Sequence, residues 1–247
     1  MILSLGILIV SIVFFSLLIV SSVLIYRRRM PVTYSIKNMF PFEFTYRSDF
    51  KHNFYTYMFL LLFVFACMGF FITFDMSYTN GYHIFALISG IACSLLIVAL
   101  FMIPLTRLRL HVILAIIFFT LSFACAGSIF ISAWRSNQEY LHPIKIVCLV
   151  LGGIILLTQF GSMLNPRMTL NFKAEEKINE NGEKVMVRPK WVVFAFTEWL
   201  NIILFIINMI NITILTFTFE GIKKSAQAEF FVSGIFLSYL SCLMRLR

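Results

Sequence analysis

Residues 191–219 read WVVFAFTEWLNIILFIINMINITILTFTF. The run is long and apolar enough to cross a bilayer, which takes about 20 residues of helix. Glu198 is the one acidic residue that falls well inside a predicted span of this chain. At about 100° per residue, Thr197, Asn201, Asn208 and Asn211 fall within an arc of about 80°, with Glu198 at its flank. Lipid penalises such an arc, so it should face other helices or a watery cavity.

The rest of the chain is built in the same way. Of its 247 residues, 60% are hydrophobic and 13% charged, more apolar surface than a soluble domain of this length can hide. Apolar runs fall at about 2–26, 54–74, 83–104, 111–134, 143–164, 191–219 and 225–244. A β-barrel would show alternating segments of about 10 residues instead. The expected fold is therefore an all-α polytopic membrane protein: one domain over 1–247, a bundle of six to seven transmembrane helices. The run at 225–244 is barely long enough, and Gln227 and Glu229 sit near its start.

Charge gives the expected orientation. The first run has no charge before it and Arg27, Arg28 and Arg29 directly after it. A cleaved signal peptide would carry its charges first, so this run reads as an uncleaved anchor. With the N-terminus outside and seven spans, 16 of the 20 Lys and Arg fall on the cytoplasmic side. That bias predicts N-out and C-in, in a plasma membrane rather than an organellar inner membrane.

Two polar segments on that side show period-two alternation. Phe40, Phe42, Phe44 and Tyr46 alternate with Pro41, Glu43 and Thr45, which predicts an extended segment. Residues 168–188 alternate on both sides of Asn179-Glu180-Asn181-Gly182, which predicts a cytoplasmic β-hairpin. Added to it, Phe40–Tyr46 would make three strands able to present an edge to a partner. Small residues four apart mark packing seams: Ala86, Gly90 and Ser94; Thr120, Ala124, Ser128 and Ser132; Gly234, Ser238 and Cys242. The runs at 2–26 and 54–74, with fewer small residues, should face lipid.

Glu198 lies six residues beyond Val192, about 9 Å into the membrane. A carboxylate there needs a partner, and His111, Arg109 and His52 reach a similar depth as ion-pair candidates. Gln159 of the fifth run, beside Thr158, joins Asn201, Asn208 and Asn211 in a polar intramembrane face, either interhelical glue or a polar path. Asp75, His83, Glu139, His142, Glu220 and Glu229 gather at the opposite ends, but no HxxxH or HxxE pairing points to a metal. The five Cys form no CxxC and read as small buried hydrophobes. No GxSxG, HExxH or GxxxxGK[ST] occurs, so no catalytic residue, metal or cofactor is expected.

The expected function is non-enzymatic: a subunit or accessory factor of a membrane complex. The alternatives are a small solute or ion transporter using the face around Glu198, and an intramembrane lipid-modifying enzyme using His111 with Glu198. Expected partners are the lipid bilayer and another membrane or cytoplasmic protein at the 168–188 hairpin. Nucleic acid is not among them, because no basic-aromatic surface run is present.

Overall fold

The structure is a computed structural model that describes residues 2–29, 34–37, 39–44, 50–74, 82–103, 107–135, 143–165, 175–178, 184–187 and 191–216. Among the described residues, six helices are long and apolar enough to cross a membrane. They are α1 (Ile2–Arg29), α2 (Phe50–Thr73), α3 (Tyr82–Met102), α4 (Leu108–Arg135), α5 (Pro143–Met163) and α6 (Val193–Thr216). Each coincides with one apolar run to within about one turn. The run at 225–244 lies outside the described residues. β1 (Glu175–Ile178) and β2 (Lys184–Val187) pair antiparallel, with Glu175 opposite Val187 and Ile178 opposite Lys184.

The outward faces are apolar, as a lipid solvent demands. Leu157 is 73% exposed and Phe65 66%, an arrangement that water would penalise over so many side chains. Burial is very uneven among the helices. Two-thirds of the α6 window is buried, against 22% for α1 and for α5 and 44% for both α2 and α3. Within Val193–Thr216 only Ile203 is exposed. α6 is thus the axial helix, and the other helices are arranged around it. The expectation that the second run would face lipid is corrected: α2 carries a broad buried face of Phe63, Cys67, Phe70 and Phe71. Aromatic residues can fill a helix interface as well as face lipid, and Phe71 stacks on Phe205 of α6 at 5.6 Å.

The peripheral α1 buries a narrower stripe. Ser4, Leu8, Ser11, Leu18 and Ser22 are buried, with the alternating four- and three-residue spacing of a coiled-coil seam. Ser22 Oγ donates to Thr56 Oγ1 at 3.3 Å, tying α1 to α2. The α4 seam follows the same spacing through His111, Ala115, Phe118, Ser122, Cys125, Ile129 and Ser132, all buried. The four-spaced seam read from Thr120 is therefore displaced: Thr120 points outward and bonds only its own helix, at the Ile116 carbonyl. A strict four-residue step rotates about 40° per turn away from the packing line, whereas alternating threes and fours stays on it.

The segment between α1 and α2 is not the extended strand that alternation suggested. Pro41–Phe44 is a turn of 3-10 helix. Proline fits the first helical position, and Glu43 closes the turn twice. Its N–H donates to the Phe40 carbonyl at 3.0 Å, and its Oε1 accepts from the Phe40 N–H at 3.0 Å. The side chain of Phe40 is thereby swung into the core, where it is fully buried. Among the described residues the sheet holds β1 and β2 alone, and Pro41–Phe44 is not a strand of it.

This segment is held against the start of α6. Trp199 Nε1–H donates to the Tyr34 hydroxyl and to the Met39 carbonyl, both at 3.1 Å. The Tyr34 hydroxyl donates in turn to the Phe40 carbonyl at 2.8 Å. The Val192 N–H donates to the Lys37 carbonyl at 2.9 Å.

Of the α3 seam, Ala86, Gly90 and Ser94 are all buried. A β-carbon on Gly90 would run into the Phe71 ring. Gly90→Ala should therefore lower stability in detergent by about 1–3 kcal/mol through overpacking. Gly6→Ala, where an added carbon meets nothing within 4 Å, should not. Thermal unfolding of the two variants side by side checks this.

Candidate functional site

Glu198 and His111 are each fully buried, one from α6 and one from α4. His111 Nε2 lies 2.8 Å from Glu198 Oε1, and His111 Nδ1 lies 2.9 Å from the Ile103 carbonyl. A carbonyl only accepts, so Nδ1 carries a hydrogen. Nε2 then meets the carboxyl either as an imidazolium donor to a carboxylate or as an acceptor from a carboxylic acid. In both cases one proton lies between Nε2 and Oε1, and the pair is neutral as a unit. Glu198 Oε2 is buried with no hydrogen-bond partner among the described residues.

Local sequence explains why these two meet. α4 and α6 begin at the same end of the bundle, and each places its ionisable residue in its first turns. Ile103 follows the last turn of α3, where the final carbonyls of a helix lack partners; the His111 ring satisfies one of them. Phe40 stands edge-on to the imidazole at 5.8 Å, and Phe194 packs on Phe40 at 6.0 Å. These rings wall the pair off on one side. Glu43, on the 3-10 turn, is a further charged group within electrostatic reach of Glu198.

The remaining ion-pair candidates do not join the pair. Arg109 is exposed, because two residues along a helix is about 200° round it and His111 takes the inward position. The His52 side chain lies outside the described residues.

Beyond Glu198 the polar residues follow the seam where α4, α5 and α6 meet. The Asn201 amide donates to the Thr197 carbonyl at 2.9 Å and to Ser162 Oγ at 3.4 Å. The Gln159 amide lies 2.8 Å from Ser122 Oγ as donor. The Asn208 amide lies 3.7 Å from Cys125 Sγ, a weak acceptor. Asn211 approaches Gly152, where an added β-carbon would lie a tight 3.3 Å from its Nδ2 and from the Phe130 ring, so the glycine favours the close approach of α5 to α6. All of these side chains except Ser162 are buried.

The amide nitrogens of Asn201, Gln159 and Asn208 thus have partners, whereas the oxygens do not. Oδ1 of Asn201, Asn208 and Asn211, Oε1 of Gln159 and Oε2 of Glu198 are all buried without a donor among the described residues. Five acceptors of one kind on one seam are far from the usual state of buried polar groups, over 90% of which are paired.

A cleft of about 540 Å³ opens beside the near end of this row, between the end of α5 and the start of α6. Thr158, Ser162, Asn165, Trp191, Phe196 and Thr197 line it. Ser162 and Thr197 are also the residues that Asn201 binds, so the cleft adjoins the first amide of the row.

Ser122, Ser162 and Cys125 were not singled out as site residues from sequence. Their signal is the three-four spacing of the α4 seam for Ser122 and Cys125, and the three-residue step from Gln159 for Ser162. Of the outer polar group, Asp75, Glu139, His142, Glu220 and Glu229 lie outside the described residues, and His83 sits partly exposed at the start of α3. Among the described residues no three His, Cys, Asp or Glu side chains gather as a metal site requires.

These features define a multi-pass helical membrane protein with a buried acid–imidazole pair and a lengthwise row of unpaired oxygen acceptors. No protein family, curated protein or solved structure matches the chain.

Breaking a buried pair leaves one partner stranded, which costs about 3–5 kcal/mol, while replacing both by apolar groups is nearly neutral. His111→Leu alone should therefore be strongly destabilising, and His111→Leu with Glu198→Leu should recover most of that loss. Thermal unfolding in detergent distinguishes this from simple additivity, which would mean that the two side chains do not act as a pair.

Proposed function

We propose that the protein passes a small cation across the membrane through the α4–α5–α6 seam. The observation that carries this reading is the row of five buried acceptor oxygens with no donor among the described residues. Oxygen lone pairs attract cations and donors and repel anions, so the row selects the sign of what occupies it. Glue between helices would pair its donors with its acceptors; here both Asn208 and Asn211 hold an oxygen in reserve.

The His111 end of the bundle faces the cytoplasm in this reading. Basic residues cluster at the α1–α2, α3–α4 and α5–α6 junctions, as Arg27, Arg28, Lys37, Arg107, Arg109 and Lys190 exemplify. The α4–α5 junction offers only Arg135 and Lys145, and the α2–α3 junction none. That asymmetry favours the first group lying inside.

The two other functional readings have weaker support. A lipid-modifying enzyme would need room for a substrate at His111 and Glu198, where Phe40 and Phe194 stand instead. A complex subunit could dock through its small-residue seams, but that of α3 is filled from within, Gly90 by Phe71 and the Ala86 carbonyl by Cys125.

Glu198→Gln tests the proposal with little structural cost. The new amide can donate to Nε2 in place of the acid, keeping the contact but not the proton. In liposomes holding the purified protein, cation permeability should exceed that of empty vesicles while chloride permeability does not. Glu198→Gln should cut the flux by about tenfold or more, the scale of losing one charged contact worth about 1.4 kcal/mol. A folded protein that carries no cation, or a Glu198→Gln variant that carries as much as the parent, would sink the reading.

A further inference from the structure

We infer that the species carried is the proton, moved along a file of water molecules anchored by Asn201, Gln159, Asn208 and Asn211 and loaded at Glu198. The inference rests on the transport reading above and assigns its substrate.

The spacing of the acceptors carries the first part. With a rise of 1.5 Å per residue, Glu198, Asn201, Asn208 and Asn211 stand at successive heights about 4.5, 10.5 and 4.5 Å apart. Gln159 fills the wide interval. α5 runs antiparallel to α6, with Ser162 level with Asn201 and Gly152 level with Asn211. Gln159, three residues from Ser162, therefore stands about 4.5 Å beyond Asn201. Its partner Ser122 gives the same height from α4, being three residues short of Cys125, which meets Asn208. Every interval along the row is thus about 4.5–6 Å in height, about two steps of a chain of waters hydrogen-bonded to one another at about 2.8 Å, so that every second water meets an acceptor. The row from Glu198 to Asn211 covers about 20 Å of a hydrocarbon core of about 30 Å.

The composition of the row carries the second part. A dehydrated metal cation needs several oxygens at one height to replace its water shell, as the carbonyl rings of selectivity filters provide. Here, among the described residues, each height offers one unpaired oxygen with at most a paired hydroxyl such as Ser122 or Ser162 beside it. Such a row cannot strip a sodium or potassium ion, but it can orient water, since each water needs only an acceptor for one of its hydrogens. Water so aligned passes protons by exchanging covalent and hydrogen bonds.

Glu198 supplies the loading step. With Nδ1–H bound to the Ile103 carbonyl, the resting pair shares one proton between Nε2 and Oε1. A hydronium in the file gives a proton to the free Oε2 and becomes water. The pair then holds imidazolium and carboxylic acid and carries one positive charge. It returns to neutrality when Oε2 releases that proton to another water. Nothing is oxidised or reduced, and the proton count balances. The groups facing this step are His111 from α4 and Glu43 from the 3-10 turn. The α5–α6 cleft, adjoining Asn201 through Ser162 and Thr197, is the cytoplasmic mouth.

The test uses the full chain in liposomes containing a trapped pH indicator, with a potassium diffusion potential set by valinomycin. Proton entry should exceed that of empty vesicles by about tenfold and persist when all sodium is replaced by N-methylglucamine, since a water file needs no metal ion. Asn208→Leu, which puts an apolar group into the middle of the file, should return proton entry to the empty-vesicle rate. Sodium or potassium flux without proton flux would overturn the inference and leave the transport reading standing; so would proton flux undiminished in a folded Asn208→Leu variant. No cation flux at all would overturn both.

A second measurement does not depend on any variant folding. Cys125 and Cys148 flank the file, at Asn208 and at the Asn211 carbonyl, whereas Cys67 is buried elsewhere, on α2. A small thiol reagent read out by peptide mass spectrometry should label the first two about tenfold faster than Cys67, because water reaches them. Equal labelling of all three would overturn the water file.

Discussion

Lipid offers a backbone or side chain nothing to hydrogen-bond, and the architecture follows from that one constraint. α6 carries an acid and three asparagines within fourteen residues, a density of polar groups that no lipid-facing helix could hold. Its only stable position is on the axis of the bundle, surrounded by the other helices. The peripheral helices can then be almost wholly apolar, as α1 is apart from its serine stripe. The aromatic packing serves the same end: Phe71, Phe118 and Phe205 meet around the middle of α6 and close its apolar sides.

The polar groups inside the bundle are arranged by two different rules. At the His111 end they are paired and walled by aromatic rings. Along the seam the Asn201, Gln159 and Asn208 amides are paired through nitrogen, and their oxygens and that of Asn211 have no donor among the described residues. The two regimes meet at Glu198, which has one oxygen in each: Oε1 on the imidazole and Oε2 without a partner.

Much of this was legible in the sequence because the signals were physical and local. Apolar runs of about 20 residues marked the six helices. Equal depth brought His111 and Glu198 to the same level, and the angular period put Asn201, Asn208 and Asn211 on one arc. What the sequence did not show depends on rotation and on turns. Arg109 and His111 have nearly equal depth, and only the rotation of α4 decides which points inward. Ser122 stood outside a four-residue stripe because the true seam follows alternating threes and fours. Phe40 was read as part of a strand because period two describes an extended chain and a tight turn equally well until Pro41 and Glu43 close it.

Trp199 binds Tyr34 and Met39 across 165 and 160 residues of sequence, and Glu198 meets His111 across 87. The parts of the site are therefore made far apart in time. Five helices can be inserted before α6 leaves the ribosome, and until then His111 lacks its acid and the 34–44 segment lacks its anchor. The site is completed only when α6 joins the five helices made before it. α6, the least hydropathic of the six spans, is also the one that gains most from finding a slot already prepared.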